Sequence, residues 1–168
     1  NLGTDVTAKQ IALGSAHSCA IVNSNRVKCW GDNAKGQLGV GSTAQKESPE
    51  VISLGSVNTA KQIALGKEHS CAILTDDTVK CWGANAKGQL GIGSTAQQNS
   101  PQSVSLGSGV TAKQIALGSA HSCAIVNSNR VMCWGDNAKG QLGDTTTLAD
   151  ASVVDEIRDR AEQAPQED

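Results

Sequence analysis

Apolar residues come in short bursts along this chain, and each burst has the spacing of a strand. "KQIAL" at 9–13 alternates weakly. "SCAIV" at 18–22 and "RVKCW" at 26–30 are rich in strand formers and flank the turn-like "NSN", and "PEVISL" at 49–54 alternates after a proline. Glycines punctuate the gaps, among them Gly14, Gly31, Gly36, Gly39, Gly41 and Gly55. Short alternating runs bounded by Gly and turn residues predict strands rather than helices. A helix is disfavoured because Gly and β-branched residues stand where good helix formers would be needed.

The whole pattern then returns with a fixed step. His17, His69 and His121 are 52 residues apart, as are Cys19, Cys71 and Cys123, then Cys29, Cys81 and Cys133, then Trp30, Trp82 and Trp134. Residues 7–39 and 111–143 differ at one of 33 positions, Lys28 against Met132, whereas 59–91 differ from 7–39 at eight. Four strands per repeat of this length is the size of a propeller blade. The chain therefore divides into repeats at 7–58 and 59–110 and a partial repeat at 111–143. Residues 1–6 precede them as the stub of a strand, and a tail follows at 144–168. The expected fold class is all-β, with propeller-type blades in an incomplete ring and a short C-terminal helix.

The recurring "HSCAI…VKCWGDN" and "GQLG" segments resemble the repeat of the regulator-of-chromosome-condensation family, over roughly 7–143. The resemblance implies β-propeller blades, and a protein-binding role for the propeller face of secreted members. Three repeats are fewer than the resemblance implies for a closed ring. Within the family, the chain resembles a secreted, Cys-paired, bacterial-type variant.

That pairing follows from the hairpin. If "NSN" is a three-residue loop, Val22 lies opposite Arg26 and Cys19 directly opposite Cys29. The same register sets Cys71 against Cys81 and Cys123 against Cys133. Such loops need their last residue in the left-handed region, and Asn25, Asp77 and Asn129 occupy that place. Directly opposed Cβ atoms come close to disulfide distance. Three disulfides are expected, and they imply an extracellular or cell-surface location. Six reduced thiols packed as small hydrophobes and a Cys/His metal site are the alternatives.

Three Trp and no Phe or Tyr leave a core of aliphatic residues, Cys and Trp. Trp30, Trp82 and Trp134 are expected to pack between blades rather than stack on a ligand. His17, His69 and His121 are expected to be structural, bonded to backbone at a strand start, rather than to form an axial metal or proton site. The "GDNAKGQLG" segments match neither a P-loop nor an EF-hand, and tight glycine turns explain them. Near-identical blades repeat the same residues instead of converging different ones, which is unsuited to catalysis. No enzyme activity, cofactor or metal is expected.

Charge separates body from tail. Residues 1–143 carry 12 Lys and Arg against 8 Asp and Glu, a net of +4, and 144–168 carry 2 against 8, a net of −6. Overall the chain is at −2, so nucleic acid is not an expected partner, and no apolar run reaches membrane-spanning length. In the tail, Leu148, Ala151, Val154, Ile157, Ala161 and Ala164 fall near one face, and a weakly amphipathic helix is expected at 148–163. The third repeat lacks its last strand, while the N-terminal stub with Asn1, Leu2 and Gly3 resembles that missing end. The chain does not begin with Met, which suits a processed protein or a fragment. The expected partners are copies of the chain itself, joined head to tail into a ring or filament through the stub and through Leu148, Val154 and Ile157. The alternative is a secreted module that binds another extracellular protein.

Overall fold

The computed structural model describes residues 2–56, 59–143 and 155–156. Each repeat forms one antiparallel four-stranded sheet. The first holds β1 (Ala8–Leu13), β2 (His17–Val22), β3 (Val27–Gly31) and β4 (Lys46–Val51) in sequence order. The second holds β5 (Ala60–Leu65), β6 (His69–Leu74), β7 (Val79–Gly83) and β8 (Gln98–Ser103). The third holds β9 (Ala112–Leu117), β10 (His121–Val126), β11 (Val131–Gly135) and β12 (Asp155–Glu156).

The central hairpin has the expected register. Val22 N–H donates to Arg26 O at 2.9 Å, which closes the three-residue loop. Asn25, Asp77 and Asn129 have φ of 56°, 68° and 60°. The short polar side chains of Asn and Asp tolerate this conformation better than most. Cys19 faces Cys29, Cys71 faces Cys81 and Cys123 faces Cys133, with a Cα–Cα distance of 4.1 Å in each pair. All six cysteines are disulfide-bonded.

Two boundaries differ from the sequence pattern. The fourth strand covers 46–51 rather than 49–54. It lies on the outer edge of the sheet, where Pro49 lacks an N–H without breaking a central ladder. Ile52 and Leu54, which gave the run its alternation, are buried after the strand ends. In the same way Leu2–Thr7 form a turn leading into β1, not a strand, because they correspond to 54–59, beyond β4.

The helix expected over 148–163 is corrected where the structure describes it. Asp155 and Glu156 are a strand paired with β11, Glu156 opposite Met132 and Asp155 opposite Cys133. This is the register of Glu50 opposite Cys29 and Gln102 opposite Cys81. An unpaired edge on β11 leaves backbone donors and acceptors to be satisfied, and a short, weakly amphipathic helix has little intrinsic stability with which to compete. The rest of that helix, with Leu148, Val154 and Ile157, lies outside the described residues, as does Asn1. Among the described residues no helix is long and apolar enough to cross a membrane.

A single sheet has no interior, so the core lies between sheets. β5 packs against β1 and β2, and β9 against β5 and β6. Cys19, Ile21, Val27 and Cys29 of the first blade meet Ile63, Leu65, Leu74 and Trp82 of the second. The opposite face of the second blade, with Cys71, Ile73, Val79 and Cys81, meets Ile115, Val126 and Trp134 of the third. Strand alternation makes this possible, since successive side chains of β6 point to opposite neighbours.

Candidate functional site: the faces between blades

The seam between blades is made by the same few residues each time. Trp82 lies under the "GQLG" loop of the preceding blade, where its Nε1–H donates to Gln37 O at 2.9 Å. Trp134 does the same to Gln89 O at 2.9 Å. The loop is seated this closely because it has a glycine at the point of contact. A Cβ on Gly39 would come within 2.8 Å of the Trp82 indole, and one on Gly91 within 2.8 Å of Trp134. Both glycines also have φ near +70°, at 72° and 64°.

Polar groups bridge the same seam. The Gln10 side chain donates to Ile63 O and accepts from Ile63 N–H, both at 3.0 Å, so it acts as a short strand between two inner strands. Gln62 repeats this with Ile115. Ser70 Oγ donates to Gln37 O at 2.8 Å, which leaves it to accept from His17 Nε2 at 3.0 Å. Ser122, Gln89 O and His69 form the same chain. The serine has one proton to give, so the histidine carries its proton on Nε2. His17 and His69 thus each bond to a serine side chain of the next blade.

Nδ1 of His17 and of His69 is buried with no hydrogen-bond partner. Burial is the main reason that both rings are held neutral, with pKa values lowered from 6.5 to about 4. Asp32 partly opposes the shift at His17, whereas His17 adds to it at His69. Among the described residues no group of three or more His, Cys, Asp or Glu is placed to hold a metal ion.

The seam residues are covered or bare according to blade. Trp82 and Trp134 are fully buried, but Trp30, on the first blade, is only half-buried. Ile63 and Leu65 are 2% and 9% exposed, against 61% and 68% for Ile11 and Leu13. On the third blade His121 and Gln141 are half-buried and Gln114 is exposed, whereas His69 and Gln89 are buried. The first blade therefore has a bare receiving face, and the third a bare offering face. Leu2 lies at the rim of the first blade, where its carbonyl accepts from Lys28 Nζ at 2.7 Å. Gly3 follows it with φ of 117°.

Sequence reasoning named the Trp and His of this seam. It missed Gln10, Gln62, Ser70, Ser122, and the seating role of Gly39 and Gly91. Their signal was recurrence at the 52-residue step, but recurrence alone does not separate a seam residue from a turn residue.

Stacked four-stranded sheets with a glycine-seated Trp at each seam define an array of β-propeller-type blades. Family models of the "Regulator of chromosome condensation (RCC1) repeat" match residues 24–73 and 76–125, and residues 8–37, 60–89 and 112–141. The chain belongs to the RCC1 repeat family. It is 36% identical over 135 residues to the human probable E3 ubiquitin-protein ligase HERC6, covering 80% of this chain and 13% of that protein. To the ultraviolet-B receptor UVR8 of Arabidopsis thaliana it is 32% identical over 138 residues, covering 82% of this chain and 31% of the receptor. The structure of Prp20p from Saccharomyces cerevisiae superposes with a TM-score of 0.82 at 25% identity, over 93% of this chain and 39% of that one. The chain thus spans less than half the length of each of these proteins.

Proposed function

We propose that this chain is a non-enzymatic, extracellular interaction protein whose blades join head to tail with those of further copies, as a ring or a filament. The observation that carries this reading is the pair of bare end faces. Ile11 and Leu13 are 61% and 68% exposed, although their counterparts in the next blade are buried. Fully burying an aliphatic side chain is worth about 1.5–3 kcal/mol, so covering these two contributes roughly 2–4 kcal/mol to any contact that uses the face. The two faces differ, and a contact between different faces propagates until it closes or runs on. Three disulfides support an oxidising location.

The testing experiment is the native mass by light scattering after size separation, without reductant, across a range of concentrations. Multiples of 17.2 kDa that grow with concentration support the reading. A mass of 17.2 kDa throughout refutes it. Family membership favours a second reading, in which the chain binds a different protein, since the Prp20p structure was described together with binding to Gsp1p and histones. A stoichiometric complex with another extracellular protein, formed by a chain that remains monomeric, would favour that reading instead.

A further inference from the structure

Each internal seam joins residue i of one blade to a partner in the next at a constant offset. Gln10 bonds to Ile63 and Gln62 to Ile115, both 53 residues on. His17 bonds to Ser70 and His69 to Ser122, again 53 residues on. Trp82 and Trp134 reach back 45 residues, to Gln37 O and Gln89 O. One further step of 52 residues from the third blade has no partner within the described chain. The offering groups of that step are nevertheless present: Gln114, His121 and the carbonyl of Gln141 stand where Gln62, His69 and Gln89 stand. The receiving groups are also present on the first blade: Ile11, Ser18 and Trp30 stand where Ile63, Ser70 and Trp82 stand. Identity is close to complete, since 7–39 and 111–143 differ at one of 33 positions. The bare face of each end is therefore the chemical complement of the other.

We infer that the third blade of one copy seats on the first blade of a second copy in the register of an internal seam. In this joint Gln114 bonds the backbone of Ile11, His121 bonds Ser18, and Trp30 donates to the carbonyl of Gln141. The inference rests on the head-to-tail reading above and specifies its contact. The joint extends an interface that already occurs twice within the chain, so it needs no new surface. It covers Ile11 and Leu13 as Ile63 and Leu65 are covered. It also matches each donor to an acceptor: the Gln114 amide both donates to the carbonyl and accepts from the N–H of one residue, the Ser18 hydroxyl links His121 to Gln141 O, and the Trp30 N–H shares that carbonyl.

The test uses the full chain and two blocked variants. Ile11→Asp puts a charge on the receiving face and leaves the offering face intact. Gln114→Arg removes the acceptor that the Ile11 N–H needs and overfills the seam, leaving the receiving face intact. Both residues are exposed, so the fold is retained, checked by far-ultraviolet circular dichroism and by intact disulfides. Gln102→Arg on the exposed outer strand β8 is the control for added charge. Each blocked variant alone is expected to run at 17.2 kDa, with self-association weakened about 30-fold or more, while the control assembles like the unmodified chain. An equimolar mixture of the two blocked variants is expected to give a discrete dimer, because it holds one usable face of each kind. If the blocked variants assemble like the unmodified chain, this joint is overturned and the broader assembly reading stands. If the mixture remains at single-chain mass, the contact is not head to tail in this register. An unmodified chain that is monomeric at every concentration overturns both.

Discussion

Substituting alanine for Gly91 measures how tightly one blade sits on the next, provided that Gly93 is substituted in parallel. Both glycines lie in the same loop with similar left-handed backbone, φ of 64° and 73°. Alanine in that conformation costs about 1–2 kcal/mol, and the stiffer unfolded chain returns about 0.4–1 kcal/mol. At Gly93 nothing lies within 4 Å of the added carbon, so Gly93→Ala should destabilise by roughly 0.5–1 kcal/mol. At Gly91 the added carbon meets Trp134 Nε1 at 2.8 Å and Cδ1 at 2.9 Å. The indole cannot yield freely, because its N–H is bonded to Gln89 O at 2.9 Å and it is fully buried. Overpacking of this kind adds roughly 1–3 kcal/mol, so Gly91→Ala should cost about 2–4 kcal/mol in total. The assay is equilibrium urea unfolding, followed by Trp fluorescence and circular dichroism together, since an array of blades can unfold in parts. Equal destabilisation by the two variants would refute the reasoning, because Trp134 would then not be held beneath Gly91.

The remaining predictions concern pH, access and backbone. His17 and His69 refuse a proton until about pH 4, whereas in the unfolded chain they accept one near 6.5. Stability is therefore full above 6.5 and falls as the pH is lowered to 4, by about 2 kcal/mol per histidine at pH 5. Urea midpoints at pH 7 and pH 5 check this, and a His69→Gln variant should lose about half of the difference. Cys19, Cys29, Cys71 and Cys81 are 0% exposed, while Cys123 on the bare third blade is half-buried. Mild reduction and alkylation of the folded monomer should label Cys123 and Cys133 first, read by peptide mass; uniform labelling would contradict the seam assignment. Asn129 has φ of 60°. Asn129→Val should cost roughly 1–2 kcal/mol through its backbone, while Asn129→Gly should be near neutral in thermal unfolding.

Much of this protein is set by pairings a few residues apart. The loop "NSN" closes its own hairpin, so strand register, the left-handed Asn25 and the opposition of Cys19 to Cys29 follow from counting along the chain. Repetition then carries that result to Cys71 and Cys81 and to Cys123 and Cys133. Other features depend on groups brought together from distant positions. Gln10 becomes a bridge only because Ile63 of the next blade comes alongside, and the space beside Gly39 is closed only because Trp82 lies beneath it. The segment at 155–156 had a helical pattern, yet a strand edge on β11 waited for a partner, and pairing there satisfies backbone groups that a short helix would leave open. The difference has one physical cause. Local turn geometry is written into adjacent residues, but a sheet exposes two faces, and what covers each is decided only when sheets stack. Ile11 and Ile63 occupy equivalent positions in the repeat, and only the presence of a neighbouring blade makes Ile63 core while Ile11 stays exposed.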